Sequence, residues 1–219
     1  MAGKVVNSSL VLLSKFGASR QECASKTATS HIQNVGCNSI KRQTLQKNNM
    51  KKTQLLLLLI LFAFNSFGQN FSTKKGGHIY QLDIPDYFTR CFDLNDVATM
   101  EYKNIVKETY LVVIDEEKEE INSVGMQFVS STDFLKYFVK DYFLDAKNRH
   151  VSETKEFKNN ENSFSQVEFS FSNEDGEYFM LITAVETKTH FYKILIWTLL
   201  GNKDQYIEDF GKIAGSLKD

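Results

Sequence analysis

The chain has one proline and three cysteines in 219 residues, and both scarcities remove classes of protein. A lone proline, Pro85, leaves no collagen-like or polyproline segment. Of the cysteines, Cys23 and Cys37 lie near the start and only Cys91 lies in the later, aromatic-rich part, so no disulfide framework can hold that part together. Neither H-E-x-x-H nor paired C-x-x-C occurs, which removes the common zinc spacings. There is no G-x-S-x-G elbow for a serine nucleophile. Gly76 and Gly77 precede the first expected strand instead of opening a helix, so no phosphate cradle is formed. No internal repeat is found.

Charge divides what is present into three regimes. Residues 1–49 carry seven Lys or Arg against the single Glu22; setting these and Lys51 and Lys52 aside turns the whole-chain net charge of −1 into −9 for the remainder. So acidic a domain lacks the basic footprint that nucleic acid requires and is repelled by anionic membrane surfaces.

From Met50 the order is that of a secretory signal: Lys51 and Lys52, an apolar run from Leu55 to Phe64, then Asn65 to Gln69 with small residues. Ser66 and Gly68 suit cleavage after Gly68, which makes residues 50–68 the signal peptide and places the product in the periplasm or outside the cell. A retained anchor is the competing reading, but the run falls short of the roughly 20 residues that span a bilayer. No cysteine follows it for acylation, so the mature form is expected to be neither lipid-anchored nor membrane-spanning. Residues 1–49 read as a disordered leader upstream of the true start at Met50, with an organellar presequence as the rival.

The rest is long enough for one domain over residues 78–219, after a flexible lead at 69–77. Strands are expected over His78–Ile84, Val97–Lys103 and Glu108–Asp115, with the acidic stretch Asp115–Glu120 as a solvated loop. Helical spacing runs from Ser130 to Lys147 through Leu135, Phe138, Val139 and Tyr142, with Ser130 and Asp133 at its start. His150 to Lys158 alternates weakly, whereas Val167, Phe169 and Phe171 alternate strictly with polar residues. Asn173–Gly176 forms a turn, followed by strands Tyr178–Val185 and Phe191–Leu200. Both are apolar at consecutive positions, which requires cover on both faces. A last helix carries Tyr206, Ile207, Phe210, Ile213, Ala214 and Leu217, with Asn202 and Gln205 as capping residues. The fold class is therefore α+β: a central antiparallel sheet of six to seven strands between helices.

Candidate chemistry is sparse. Cys91 with His78, His150 or His190 is the one thiol and base combination available, and its spacings carry no specificity. Cys91 reads more simply as a small core residue. The pairs Asp83 with Asp86 and Asp93 with Asp96 need burial to separate their pKa values before acid and base roles are possible. The acidic stretch lacks the D-x-D-x-D-G order of a calcium loop. Tyr80, Tyr87, Phe88 and Phe92 crowd Pro85 and are candidates for an apolar groove, or for core. No catalytic, cofactor-binding or metal-binding residue is assigned, and no cofactor is expected.

The strand ending at Ile84 and Pro85, the helix from near Ser130, the long hairpin strands and the closing helix through Ser216, Leu217 and Lys218 resemble the PsbP and Mog fold family over about His78–Lys218. Where family members often carry a tryptophan after the Ile-Pro step, Asp86, Tyr87 and Phe88 stand here. The resemblance implies an antiparallel sheet sandwiched by helices and a noncatalytic module that binds partners or assists assembly. The expected function is an exported domain that binds a protein partner in the cell envelope. A carrier of a small apolar ligand is the second reading and a hydrolase without a recognisable motif the third.

Overall fold

The computed structural model describes residues 69–219 with the exception of His78; the leader expected over 1–49 and the signal peptide over 50–68 lie outside the described residues. The first element is a hairpin of strands β1 (Phe71–Gly76) and β2 (Tyr80–Pro85), in register from Phe71 opposite Pro85 to Gly76 opposite Tyr80. Its first strand overturns the expected flexible lead at 69–77. β1 is polar because pairing, rather than burial, holds it: Thr73 Oγ1 donates to Asp83 at 2.6 Å and Ser72 Oγ to Asp86 at 3.3 Å. Gly76 is required at its end, since a Cβ there would lie 2.4 Å from Tyr80 Cζ, and Gly77 turns the chain at φ +56°.

Eight further strands follow: β3 (Thr89–Arg90), β4 (Met100–Asn104), β5 (Thr109–Glu117), β6 (Lys147–Val151), β7 (Lys155–Asn159), β8 (Asn162–Asn173), β9 (Gly176–Glu186) and β10 (His190–Leu199). They form one antiparallel sheet in the order β3-β4-β5-β10-β9-β8-β6, with β7 also paired to β8. The count exceeds the expected six to seven because β3 is only two residues long and the weakly alternating stretch after residue 147 divides into β6 and β7.

Helices α1 (Lys118–Ser123) and α2 (Ser131–Asp141) belong to one face, and α3 (Lys203–Gly215) with the β1–β2 hairpin to the other. Alternation along the central strands explains the division. In β10, Phe191, Leu195 and Trp197 join the α2 core while Tyr192, Ile194 and Ile196 join the α3 core. In β9, Met180 and Ile182 face α2 whereas Phe179 and Leu181 face α3. The expected α+β sandwich is the observed architecture.

Three local expectations are corrected. The acidic stretch is not a loop: Asp115–Glu117 completes β5 and Lys118 opens α1. Its charges find partners across the sheet, Glu116 with Lys193, and Lys118 with Glu186 at 2.9 Å, while Ile121 enters the core. α2 begins as expected, with Ser130 accepting from the Asp133 amide at 3.2 Å, but it ends at Asp141 instead of Lys147. Tyr142 turns extended and Phe143 adopts φ +49°, which stacks its ring on Phe171 with centroids 4.2 Å apart. At α3, Asn202 holds the capping position without a side-chain cap bond.

The layer opposite α2 depends on Phe210, fully buried among Tyr80, Leu181 and Ile194 in one core. Truncation to alanine removes apolar burial and leaves a cavity, so Phe210→Ala is expected to cost about 3–5 kcal/mol in urea unfolding. Val106→Ala, at a position 94% exposed, is expected to stay within about 0.5 kcal/mol of the parent.

Candidate functional site

Among the described residues the fold sets Cys91 and His150 at opposite ends of the sheet, Cys91 after β3 and exposed His150 in β6. His190 begins β10, with its Nδ1 2.8 Å from Thr189 Oγ1, and His78 lies outside the described residues. Cys91 is buried as a free thiol, and burial pushes its pKa up to about 11, away from nucleophilic thiolate.

Cys91, Asp93 and Glu101 do place their ligand atoms within 4.8 Å of one another. Two of the three are engaged in holding the chain. Glu101 accepts from the Leu94 amide at 2.7 Å and the Asn95 amide at 3.3 Å. Asp93 accepts from Lys103 Nζ at 2.6 Å, a bond that holds its carboxyl below the usual carboxylate range. The cluster ties the β3–β4 connection to β4.

The carboxylate pairs expected from sequence are also dispersed in surface contacts. Asp83 accepts from Thr73 and Asp86 from Ser72, while Asp93 pairs with Lys103 and Asp96 is exposed. The aromatic groove around Pro85 resolves into core. Tyr80 and Phe88 are buried in the core that the sheet shares with the hairpin and α3, Tyr87 stacks on Phe88 at 4.8 Å, and only Phe92 is largely exposed, beneath the Arg90 guanidinium.

Two buried acids escaped the sequence reading, Glu101 in the cluster above and Asp209. Asp209 lies on the inner side of α3, one residue before Phe210, and accepts from the Tyr87 hydroxyl at 3.3 Å. Burial raises its carboxyl above 3.8, against the lowering effect of the Tyr87 bond. The available signal was a carboxylate three residues after Tyr206, within the helix's apolar stripe. With Tyr87 as its hydrogen-bond partner, it anchors the β2–β3 connection to α3.

Among the described residues an open concavity lies elsewhere, between α2 and the β6 edge. It has a volume of about 270 Å³, a floor of Leu135, Val139, Val151 and Val167, and walls bearing Lys136, Lys140 and Arg149. Ser152 and Thr154, in the break between β6 and β7, complete it. Arg149 is fixed: it donates to the Val139 carbonyl at 2.6 Å and the Tyr142 carbonyl at 3.0 Å, and its guanidinium lies 5.2 Å from the Phe169 ring centroid. It thereby satisfies carbonyls at the end of α2 and fixes one wall of the cleft. Lys136 and Lys140 are exposed one turn apart on α2, and neither forms an ion pair among the described residues.

Comparison with solved structures supplies the likeness of the whole domain. The solution structure of the cyanobacterial PsbP protein of Synechocystis matches with a TM-score of 0.51 at 13% identity, over 70% of this chain and 95% of that one. This likeness shows a PsbP-like fold. LpqN of Mycobacterium tuberculosis, involved in cell envelope biogenesis, aligns at 12% identity and a TM-score of 0.47 over 69% of this chain and 86% of its own. A mutant form of the protein Mog1 aligns at 10% identity and 0.46, covering 68% and 95%. No family model and no curated protein sequence matches the chain.

The Asp209 contact generates a pH prediction. Its folded-state pKa lies above the ordinary 3.8, so the folded protein holds this proton more tightly than the unfolded chain. Stability contributed by protonated Asp209 is lost as pH rises from 3.8 through the folded-state value. Asp209→Asn keeps an acceptor for Tyr87 without the charge. It is expected to show a higher urea midpoint than the parent near neutral pH and the same midpoint once pH falls below 3.8.

Proposed function

We propose that the chain is an exported, noncatalytic binding domain that docks a protein partner at the α2–β6 cleft. Export is supported by the basic, apolar and small-residue order from Met50 to Gln69, and no helix among the described residues is long and apolar enough to cross a membrane. The noncatalytic reading is supported by the placement of the groups that could react. The buried thiol, the two described histidines and the carboxylate pairs are dispersed, and the perturbed Asp209 is engaged with Tyr87.

The observation that carries the reading is the character of the cleft. Sites for whole small molecules run from about 300 to 1,000 Å³ and bury most of the ligand. This one, at about 270 Å³, is open, shallow enough for one anchoring side chain, and ringed by cations. Such pockets with polar rims are where protein interfaces concentrate their binding energy. The four aliphatic side chains of its floor support a second reading, carriage of a small apolar ligand.

Native mass spectrometry after mild cross-linking in the source cells separates the two. The expected spectrum contains a second polypeptide joined to a chain that begins at Gln69. A chain carrying only a small-molecule adduct, with no polypeptide, would contradict partner docking and favour carriage.

A further inference from the structure

The cleft adjoins a sheet edge, and the edge and the cleft together specify what can occupy them. Among the described residues, β6 closes the order of the eight-stranded sheet, so one side pairs with β8 and the other has no strand beside it. Its five residues include Lys147 and Arg149, and a bulge interrupts its register between Lys147 and His150. Short, basic, bulged edges discourage strand addition in general, so a strand that does add here has to bring charge complementary to theirs.

Beyond Val151 the edge is interrupted. Ser152 stays attached to β8, its amide donating to the Glu168 carbonyl at 2.9 Å and its hydroxyl accepting from the Glu168 amide at 2.9 Å. β7 resumes at Lys155, and through the gap the cleft reaches Val167 of β8. A side chain entering here from an added strand meets aliphatic carbon below and the lysines of α2 above.

We propose, building on the reading above, that the partner presents an extended acidic segment that adds as a strand along β6. One aliphatic side chain fills the cleft, and carboxylates two residues to either side meet Lys136 and Lys140. Alternate residues of a strand share a face, so the aliphatic anchor and both acids point toward α2. The lysine stems are long enough to spread their ammonium groups to either side of the anchor. Charge selects the sign of the occupant. On a domain whose net charge is −9 after the basic leader, these cations, without ion-pair partners among the described residues, form a local well for an anionic strand.

The test uses the full chain and three probes: acetyl-Glu-Ser-Leu-Ser-Glu-amide, the same peptide with Lys for Glu, and octanoate. Binding is followed by backbone amide shifts over residues 147–154. The acidic peptide is expected to bind and shift these amides, more weakly as salt rises, and the basic peptide to leave them unmoved. Lys136→Glu with Lys140→Glu is expected to weaken the acidic peptide about tenfold or more, and the double glutamine variant by less. Thr154→Trp, which fills the cleft without touching charge, is expected to abolish the shifts. Each variant is checked for the parent's urea midpoint, and Lys74→Glu with Lys75→Glu on β1 serves as the distant control, expected to bind as the parent does. Acidic-peptide binding that survives both the charge reversal and Thr154→Trp would overturn the proposal. If the peptide fails to bind while cross-linking still yields a polypeptide partner, this inference falls and partner docking stands. Octanoate binding in the cleft, with no peptide binding and no polypeptide partner, would overturn both.

Discussion

Strands β9 and β10 have almost no residue to offer to water. From Tyr178 to Val185 and from Phe191 to Thr198 every side chain is buried, and the apolar ones alternate between two cores. A strand with two apolar faces is stable only with a layer on each. That requirement fixes where α2, α3 and the β1–β2 hairpin must lie. The exception confirms how tightly the faces are used: Lys193, on the α2 face of β10, is buried with Glu116 as its ion-pair partner and its ammonium 5.2 Å from the Phe138 ring centroid and 5.6 Å from that of Phe134. Removing the Glu116 carboxylate would leave the Lys193 ammonium in a largely desolvated setting.

Covering the centre leaves the sheet's ends to other devices. At the β3 end, Glu101 and the Asp93–Lys103 pair knit the connection around buried Cys91. At the β6 end no comparable knot forms. Arg149 ties the end of α2 to β6 through two carbonyls, and the space this creates is the cleft. The candidate site is thus a by-product of how a short helix is fastened beside an interrupted edge, and its lysines, without ion-pair partners among the described residues, give that opening a sign.

Much of the architecture was legible because its signals are local. The period-two pattern of Val167, Phe169 and Phe171, the continuous apolar runs of β9 and β10, and the helical stripes of α2 and α3 each follow from neighbouring residues. The Asn173–Gly176 turn was legible too: Asn173 Oδ1 accepts from the amides of Asp175 and Gly176. What failed depends on partners distant in sequence. β1 has no apolar alternation because β2 supplies its bonds, and Glu116 looks solvated until Lys193 is placed opposite. The early end of α2 depends on Phe143 meeting Phe171. The cleft was invisible for the same reason, since Lys136 and Lys140 come from a helix, Val151 and Thr154 from a broken edge, and Val167 from the next strand. The aromatic residues near Pro85 could be read as groove or as core, and Tyr80, Tyr87 and Phe88 belong to the core; the choice rests on packing partners distant in sequence.

Native-state amide hydrogen exchange tests most directly the claim that a doubly covered centre holds the domain while the β6 edge stays available. The account predicts that amides of β9 and β10 exchange slowest, through global unfolding, and that those of β6 exchange fastest among the strands of the large sheet of more than two residues, through local opening. Exchange in β9 or β10 as rapid as in β6 would contradict it.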